Sequence, residues 1–154
     1  MSMREWTTDY SKGDGLRCFW AMFRRREKCK SKLTRDILTF FLSRSAHRHG
    51  GYIGNGARLA DIPSLPHGLH GVYISRYASV GKGCRIYQNV TIGEVNGRAP
   101  TIGDGCFIGA GAQIVGDITV GDNVKIGAGA VVFTDVPEGA TVVAQPPRII
   151  VREK

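Results

Sequence analysis

A six-residue repeat limits the possible folds of this 154-residue chain more than any other feature. A β-branched residue recurs at every sixth position, apart from one interval of ten residues. A small or apolar residue lies four places beyond nearly every one of these positions, and glycine often follows directly. The repeat predicts a short strand and a tight turn in each unit. The β-branched positions are Ile74, Val80, Ile86, Ile92, Ile102, Ile108, Ile114, Val120, Ile126 and Val132.

This spacing excludes the two commonest regular structures. A half-buried strand would place apolar residues at every second position, whereas here they occupy the first and fifth of six. Glycine at this density costs about 0.8 to 1.0 kcal/mol per residue inside a helix. Three units per turn predict a triangular coil, with Ile74 stacked on Ile92 and Ile108 stacked on Ile126. The predicted fold is an all-β solenoid of the parallel β-helix type, with a short α-helical N-terminal extension.

The positive charge of the chain divides it into two parts. The segment 17–48 holds ten Lys or Arg against Glu27 and Asp36, which equals the whole net charge of +8. A glycine-rich body with no net charge follows. We therefore predict a basic, mainly helical N-terminal extension, a repeat body with an inserted loop at 93–101, and a C-terminal tail. Their predicted ranges are 1–50, 51–137 and 138–154.

The basic extension carries apolar residues at helical spacing. Spacings of three and four predict two amphipathic helices that pack on the end coil of the solenoid. The basic run at 24–30 suggests an alternative role, peripheral contact with anionic lipid or with a diphosphate-linked glycan precursor. Nucleic acid is not expected as a partner, because the charge comes without a recognisable binding fold. The apolar residues are Phe19, Trp20 and Phe23, then Leu33, Ile37, Leu38, Phe41 and Leu42.

Cysteine spacing and hydropathy indicate the cellular compartment in which the protein is expected. Cys18, Cys29, Cys84 and Cys106 form no C-x-x-C pair and have no histidine set at zinc-finger spacing. No run approaches the ~18 apolar residues that a membrane helix needs, and residues 1–10 lack the pattern of an export signal. We therefore expect free thiols and a cytoplasmic protein.

An ordered series of segments links this repeat to a known family. The series includes Gly-Val-Tyr-Ile-Ser from Gly71, Ile-Tyr-Gln-Asn-Val-Thr-Ile-Gly from Ile86 and Pro-Thr-Ile-Gly-Asp from Pro100, followed by Ile-Gly-Ala-Gly-Ala from Ile108 and again from Ile126. Residues 65–150 thereby resemble the hexapeptide-repeat acetyltransferases, especially serine acetyltransferases and capsular-polysaccharide O-acetyltransferases. The resemblance implies a left-handed β-helix, a homotrimer, active sites between neighbouring subunits and acetyl-CoA as the acyl donor.

Transfer of an acetyl group to a hydroxyl needs a general base. Histidine, with an ordinary pKa of about 6.5, accepts and returns a proton near neutrality. His67 and His70 lie in Leu-Pro-His-Gly-Leu-His-Gly, where the family's catalytic histidine falls. Leu-Pro-His resembles the catalytic segment of the polysaccharide-modifying branch and favours His67, while His70 remains a second candidate or a partner. Asp61 is the nearest carboxylate upstream and a candidate to orient the base, or simply a turn cap.

The resemblance also implies where the cofactor binds. Family members lay the pantetheine arm of CoA along the side of the helix, against corresponding turns of successive coils. Two matching alanines lie 18 residues apart, one full coil, and two basic residues are candidates for the CoA phosphates. No metal is expected, since no histidine follows His70 to build a site on adjacent coils. The candidate cofactor-binding residues are Gly93, Ala110, Gly111, Lys125, Ala128 and Arg148.

The inserted loop bears on the acceptor. Serine-specific members end this loop in Arg-His-Pro and place an aspartate immediately before the catalytic histidine. Here the loop ends in Arg98-Ala99-Pro100, and Pro66 precedes His67. Arg98 stays a candidate substrate-binding residue. These differences favour a sugar hydroxyl in surface-polysaccharide biosynthesis, with serine O-acetylation in cysteine biosynthesis as the alternative and a non-enzymatic assembly module as an alternative of another class.

Overall fold

The computed structural model describes residues 16–146 and residue 150. Helix α1 spans Arg17–Glu27 and helix α2 spans Lys32–Arg48. Within the described ranges, thirteen short strands follow. They are β1 (Tyr52–Ile53), β2 (Arg58–Leu59), β3 (Tyr73–Ile74), β4 (Ser79–Val80), β5 (Arg85–Ile86), β6 (Thr91–Gly93), β7 (Thr101–Ile102), β8 (Phe107–Ile108), β9 (Gln113–Val115), β10 (Thr119–Val120), β11 (Lys125–Ile126), β12 (Val131–Val132) and β13 (Thr141–Val142).

The strands form three parallel sheets that make the sides of a triangular coil. Sheet one has the order β1-β3-β6-β9-β12, sheet two β2-β4-β7-β10 and sheet three β5-β8-β11-β13. From β3 to β12 successive strands belong to successive sheets, so every third strand stacks on its predecessor; at the two ends of the described coil one side has no strand, and β1 pairs with β3, β2 with β4 and β11 with β13. The predicted parallel β-helix is confirmed, and both predicted stacks, Ile74 on Ile92 and Ile108 on Ile126, are in register.

The core consists of columns of β-branched residues. All ten first-position residues of the repeat are at most 4% exposed. The residues four places later, such as Ala78, Cys84 and Val124, are buried as well. Burial of a Val or Ile side chain stabilises a fold by about 1.5 to 3 kcal/mol, so these columns supply most of the driving force.

Glycine is required where one coil meets the next at the corner after sheet two. The amide of Lys82 donates to Oδ1 of Asp104, and the amide of Asp104 donates to Oδ1 of Asp122, each at 2.7 Å. A Cβ on Gly103 would lie 2.3 Å from that Asp122 oxygen. The aspartate ladder therefore explains why glycine directly follows the buried residue of the repeat here.

The solenoid is longer at both ends than the six-residue repeat predicts. Strands β1 and β2 form an earlier coil, in which Ile53 pairs with Ile74 across 21 residues. At the other end, β13 pairs with β11, with Val142 beside Ile126. The predicted boundary at residue 137 is therefore too early, because the first part of the segment predicted as a tail continues the coil.

The two helices cover the first coil. Phe19, Trp20 and Phe23 of α1 are buried, as the sequence predicts, and α2 buries Leu42 and Ala46. The expectation that the other apolar residues of α2 pack on the coil is wrong for the large side chains at 33, 37 and 41, which are 72%, 50% and 54% exposed. No helix in the described ranges is long and apolar enough to cross a membrane.

Shortening a column residue tests the core. Ile108, fully buried between Ile86 and Ile126, loses most of its side chain in Ile108→Ala. We expect the free energy of unfolding to fall by about 2 to 5 kcal/mol in urea denaturation, from lost burial and the cavity left behind. The control Val131→Ala, at a site 58% exposed, should cost no more than about 0.5 kcal/mol. Equal losses would contradict this account of the core.

The four cysteines should differ in reactivity. Cys84 and Cys106 are each 1% exposed, whereas Cys18 is exposed and Cys29 partly exposed. A hydrogen bond with Cys106 and burial raise the pKa of the Cys84 thiol, which lowers its reactivity further. A colorimetric thiol assay should therefore count two fast thiols in the native protein and four after denaturation. Four fast thiols under native conditions would contradict the placement of the core cysteines.

Candidate functional site

His67 lies in a tight turn outside the coil. The amide of Gly68 donates to the carbonyl of Leu65 at 3.1 Å, with Pro66 and His67 at the two central positions. Proline at the second position of such a turn is favoured because its ring fixes φ. The exposed His67 ring has its centroid 5.8 Å from that of Tyr87, in the next coil. The turn thus places an imidazole on the outside of sheet three.

The side chain of His70 stabilises the same turn through a hydrogen bond. Its Nδ1 lies 2.7 Å from the carbonyl oxygen of His67, which only accepts, so Nδ1 donates the hydrogen bond. In the neutral ring the lone pair is then on Nε2. The structure therefore brings the two candidate bases together and joins one to the backbone of the other.

The residues after this turn begin a column at the corner between sheets three and one. The carbonyl of His70 accepts from the amide of Asn89 at 3.0 Å, that of Gln88 from Gly111 at 3.0 Å, and that of Ala110 from Gly129 at 2.9 Å. Successive coils thus align four residues along one edge. We call this column the histidine corner; it consists of His70, Gln88, Ala110 and Ala128.

Gln88 belongs to this corner but is not among the residues predicted from the sequence. Its Oε1 is buried and has no hydrogen-bond partner among the residues that the structure describes. An unpaired buried amide oxygen costs about 1 to 3 kcal/mol, which a binding partner at this corner would offset. The one signal in the sequence is that the next two coils have alanine at the corresponding position.

Aromatic and basic side chains line the adjoining outer face of sheet three. The rings of Tyr87 and Phe107 have centroids 5.2 Å apart, which extends the contact of His67 with Tyr87 toward the next coil. Lys125, exposed and paired in register with Phe107, continues this face. Lys125 is a predicted site residue, whereas nothing in the sequence singles out Tyr87.

Two other predicted residues lie away from the histidine corner within the chain. Gly93 ends β6 in sheet one, paired with Val115. Arg98 belongs to the inserted loop, where it exchanges two backbone hydrogen bonds with Val95 and forms an ion pair of 2.8 Å with Asp117.

The inserted loop is a hairpin with a two-residue turn. Its tip residues, Asn96 and Gly97, both have positive φ, at 53° and 76°. Positive φ at both central positions is typical of a type I′ turn, for which Asn-Gly is the favoured sequence.

Asp61 and Arg148 complete the predicted set. Asp61 accepts from the amide of Ile62 at 2.7 Å, as a turn cap does, and lies 3.4 Å from the guanidinium of Arg24 in α1. Its suggested role of orienting a histidine stays a prediction. Arg148 lies outside the described residues. Within the described part of the chain, no cluster of three or more His, Cys, Asp or Glu is placed to hold a metal ion.

Comparison with known proteins identifies the repeat. Residues 99–134 match the family model described as bacterial transferase hexapeptide (six repeats). A serine acetyltransferase of Synechococcus elongatus is 46% identical over 107 residues, which cover 67% of this chain and 43% of that protein. One of Bacillus licheniformis is 35% identical over 148 residues, covering 90% and 65%.

Solved structures agree in fold. Neisseria gonorrhoeae serine acetyltransferase in complex with serine superposes with a TM-score of 0.74 at 35% identity, covering 85% of this chain and 55% of that one. Soybean serine acetyltransferase complexed with serine gives a TM-score of 0.74 at 33% identity, covering 86% and 56%. This chain therefore spans about half the length of these two structures.

The repeat, the three-sided coil and these matches define a left-handed β-helix of hexapeptide repeats. The chain belongs to the hexapeptide-repeat transferase family. Within that family, the relatives and solved structures given above are all serine acetyltransferases.

Replacing Gln88 tests whether its side chain is kept for binding rather than for stability. Gln88→Met removes the unpaired oxygen at nearly constant volume, so we expect the free energy of unfolding to rise by about 1 kcal/mol or more. The exposed Gln113 supplies the control Gln113→Met, with an expected change within about 0.5 kcal/mol. Marked destabilisation by Gln88→Met in urea denaturation would mean that Gln88 serves the fold.

Proposed function

We propose that this chain is an acetyl-CoA-dependent O-acetyltransferase with His67 as its general base. One observation carries the proposal: the turn that holds His67 and His70 leads directly into the column of Ala110 and Ala128. A proton acceptor and a strip of small residues thus share one edge of the coil. Similarity to serine acetyltransferases over 90% of the chain supports the same chemistry.

The proposed reaction needs one proton acceptor. The His67 imidazole takes the proton of the acceptor hydroxyl while that oxygen bonds to the thioester carbonyl carbon. The tetrahedral intermediate then collapses, the carbon–sulfur bond breaks, and the leaving CoA thiolate takes the proton back from the imidazolium. Such a base contributes roughly 10²- to 10⁴-fold to the rate. The hydrogen bond from His70 holds the turn that carries His67.

The donor would lie along the histidine corner. Ala110, Gly111 and Ala128 leave room for the pantetheine arm, and the unpaired Oε1 of Gln88 is available to accept from one of its amide groups. Lys125 is exposed on the adjoining strand, where a cation would meet a phosphate. In a homotrimer, the histidine corner of one subunit would face the inserted hairpin of the next, so that Arg98 reaches the same site.

The acceptor has two candidates. L-serine is favoured by the relatives, all named serine acetyltransferases, two of which are described in complex with serine. A sugar hydroxyl is the second candidate, favoured by Pro66 and Ala99 at positions where the serine-specific members are expected to have aspartate and histidine. Each replacement removes a polar side chain that would otherwise hold an amino acid.

Acceptor-dependent release of CoA from acetyl-CoA tests the activity. We expect His67→Ala to lower kcat by roughly 10²- to 10⁴-fold, because the hydroxyl loses its proton acceptor. His70→Asn keeps an N–H donor for the His67 carbonyl and should retain much of the rate, whereas His70→Ala should lose more. The measurement is kcat for the wild type and the three variants, with matched thermal stability as the control.

The outcomes separate the alternatives. Equal inactivity of His70→Asn and His70→Ala, with an active His67→Ala, would make His70 the base. Turnover with L-serine alone supports the first acceptor, and turnover with a sugar or nucleotide sugar alone supports the second. A folded protein that binds no acetyl-CoA at micromolar concentration in calorimetry would overturn the proposal and favour an assembly module.

A further inference from the structure

We infer that the outer face of α2 binds the surface of an anionic phospholipid bilayer. This face is defined here as the lipid-facing stripe. It comprises four large apolar side chains and two arginines, spaced by three or four residues, so they share one side of the helix. The apolar members are 72%, 50%, 63% and 54% exposed in chain order. The residues are Leu33, Ile37, Phe40, Phe41, Arg44 and Arg48.

The stripe is not the core face of the helix. The buried residues of α2 are Leu42 and Ala46, which lie on the opposite side. The rings of Phe40 and Phe41 pack edge to face with centroids 5.6 Å apart, so they form one apolar ridge rather than two isolated side chains. Scattered exposed apolar residues need no explanation, but a continuous ridge marks an interaction surface.

The positive charge of the N-terminal segment indicates which kind of partner binds the stripe. The segment 17–48 carries a net +8, the entire net charge of the chain. A second copy would bring two such segments together and would be repelled. Nucleic acid would attract the basic residues but offers no apolar layer in which the ridge could be buried. A bilayer with anionic headgroups satisfies both, because it attracts basic residues and accepts apolar side chains at the headgroup boundary.

The geometry suits a helix lying in the membrane plane. From Leu33 to Arg48 the helix rises about 22 Å, and each basic residue near an anionic surface adds to the attraction. Helix α2 sits over the first coil, with Gly51 bonded through its amide to the carbonyl of Ala46. Docking through the stripe would therefore leave the sides of the solenoid clear of the bilayer.

Sedimentation of the full chain with vesicles tests this inference. We expect binding to phosphatidylcholine vesicles that contain phosphatidylglycerol, and little binding to phosphatidylcholine alone. Raising ionic strength from about 0.1 M to about 1 M shortens the Debye length from about 10 Å to about 3 Å and should release the protein. A folded chain that ignores anionic vesicles, or binds both kinds equally at either salt concentration, would overturn the inference.

Matched variants locate the contact. Leu33→Ser with Phe40→Ser should weaken vesicle binding roughly tenfold or more. Phe133→Ser removes a Phe that is 70% exposed on the solenoid and should leave binding unchanged. If the double variant misfolds, Arg44→Glu with Arg48→Glu replaces it, with the same expected loss. Unchanged vesicle binding by the stripe variants, together with a smaller particle mass in light scattering, would assign the face to self-association instead.

Discussion

The structure depends on backbone hydrogen bonds between consecutive coils. At several corners the bonded backbones come so close that no side chain fits between them. A Cβ on Gly81 would come within 2.4 Å of Oδ1 of Asp104, and one on Gly109 within 2.7 Å of the amide of Ala128. Glycine at these corners therefore permits the coil spacing that the backbone bonds require, and that spacing aligns both the buried columns and the histidine corner.

Most of the coil could be predicted from the sequence because each column repeats the same physical requirement. Where the six-residue spacing changes, the strands cannot be predicted from the repeat. The first coil closes after 21 residues and carries no β-branched residue at the third side, where Ser64 bridges to Arg85. The sequence does not mark strand β13, because prolines and polar residues lie on both sides of it. In both places backbone pairing extends the sheet, although the six-residue spacing of β-branched residues that marks the repeat is missing.

The site could be predicted in part. Histidines are few and chemically distinctive, so the sequence alone singles out His67 and His70. Tyr87 and Gln88 do not stand out in this way, because a ring beside a histidine or an unpaired oxygen becomes evident only when coils are stacked. The expectation that α2 packs on the coil through Leu33, Ile37 and Phe41 is wrong for a related reason. Apolar residues occur on two sides of that helix, and spacing alone does not say which side meets the core.

Sequence changes in the inserted hairpin have little effect on the solenoid core. Val95 and Arg98 close it with their own hydrogen bonds, and the strands on either side keep their register, with Ile92 still paired to Ile114. The length and side chains of the hairpin thus have little effect on the stability of the solenoid. In descent from a common ancestor, such a loop could accumulate substitutions and insertions while the columns stay fixed, so the loop and the folding core would evolve independently.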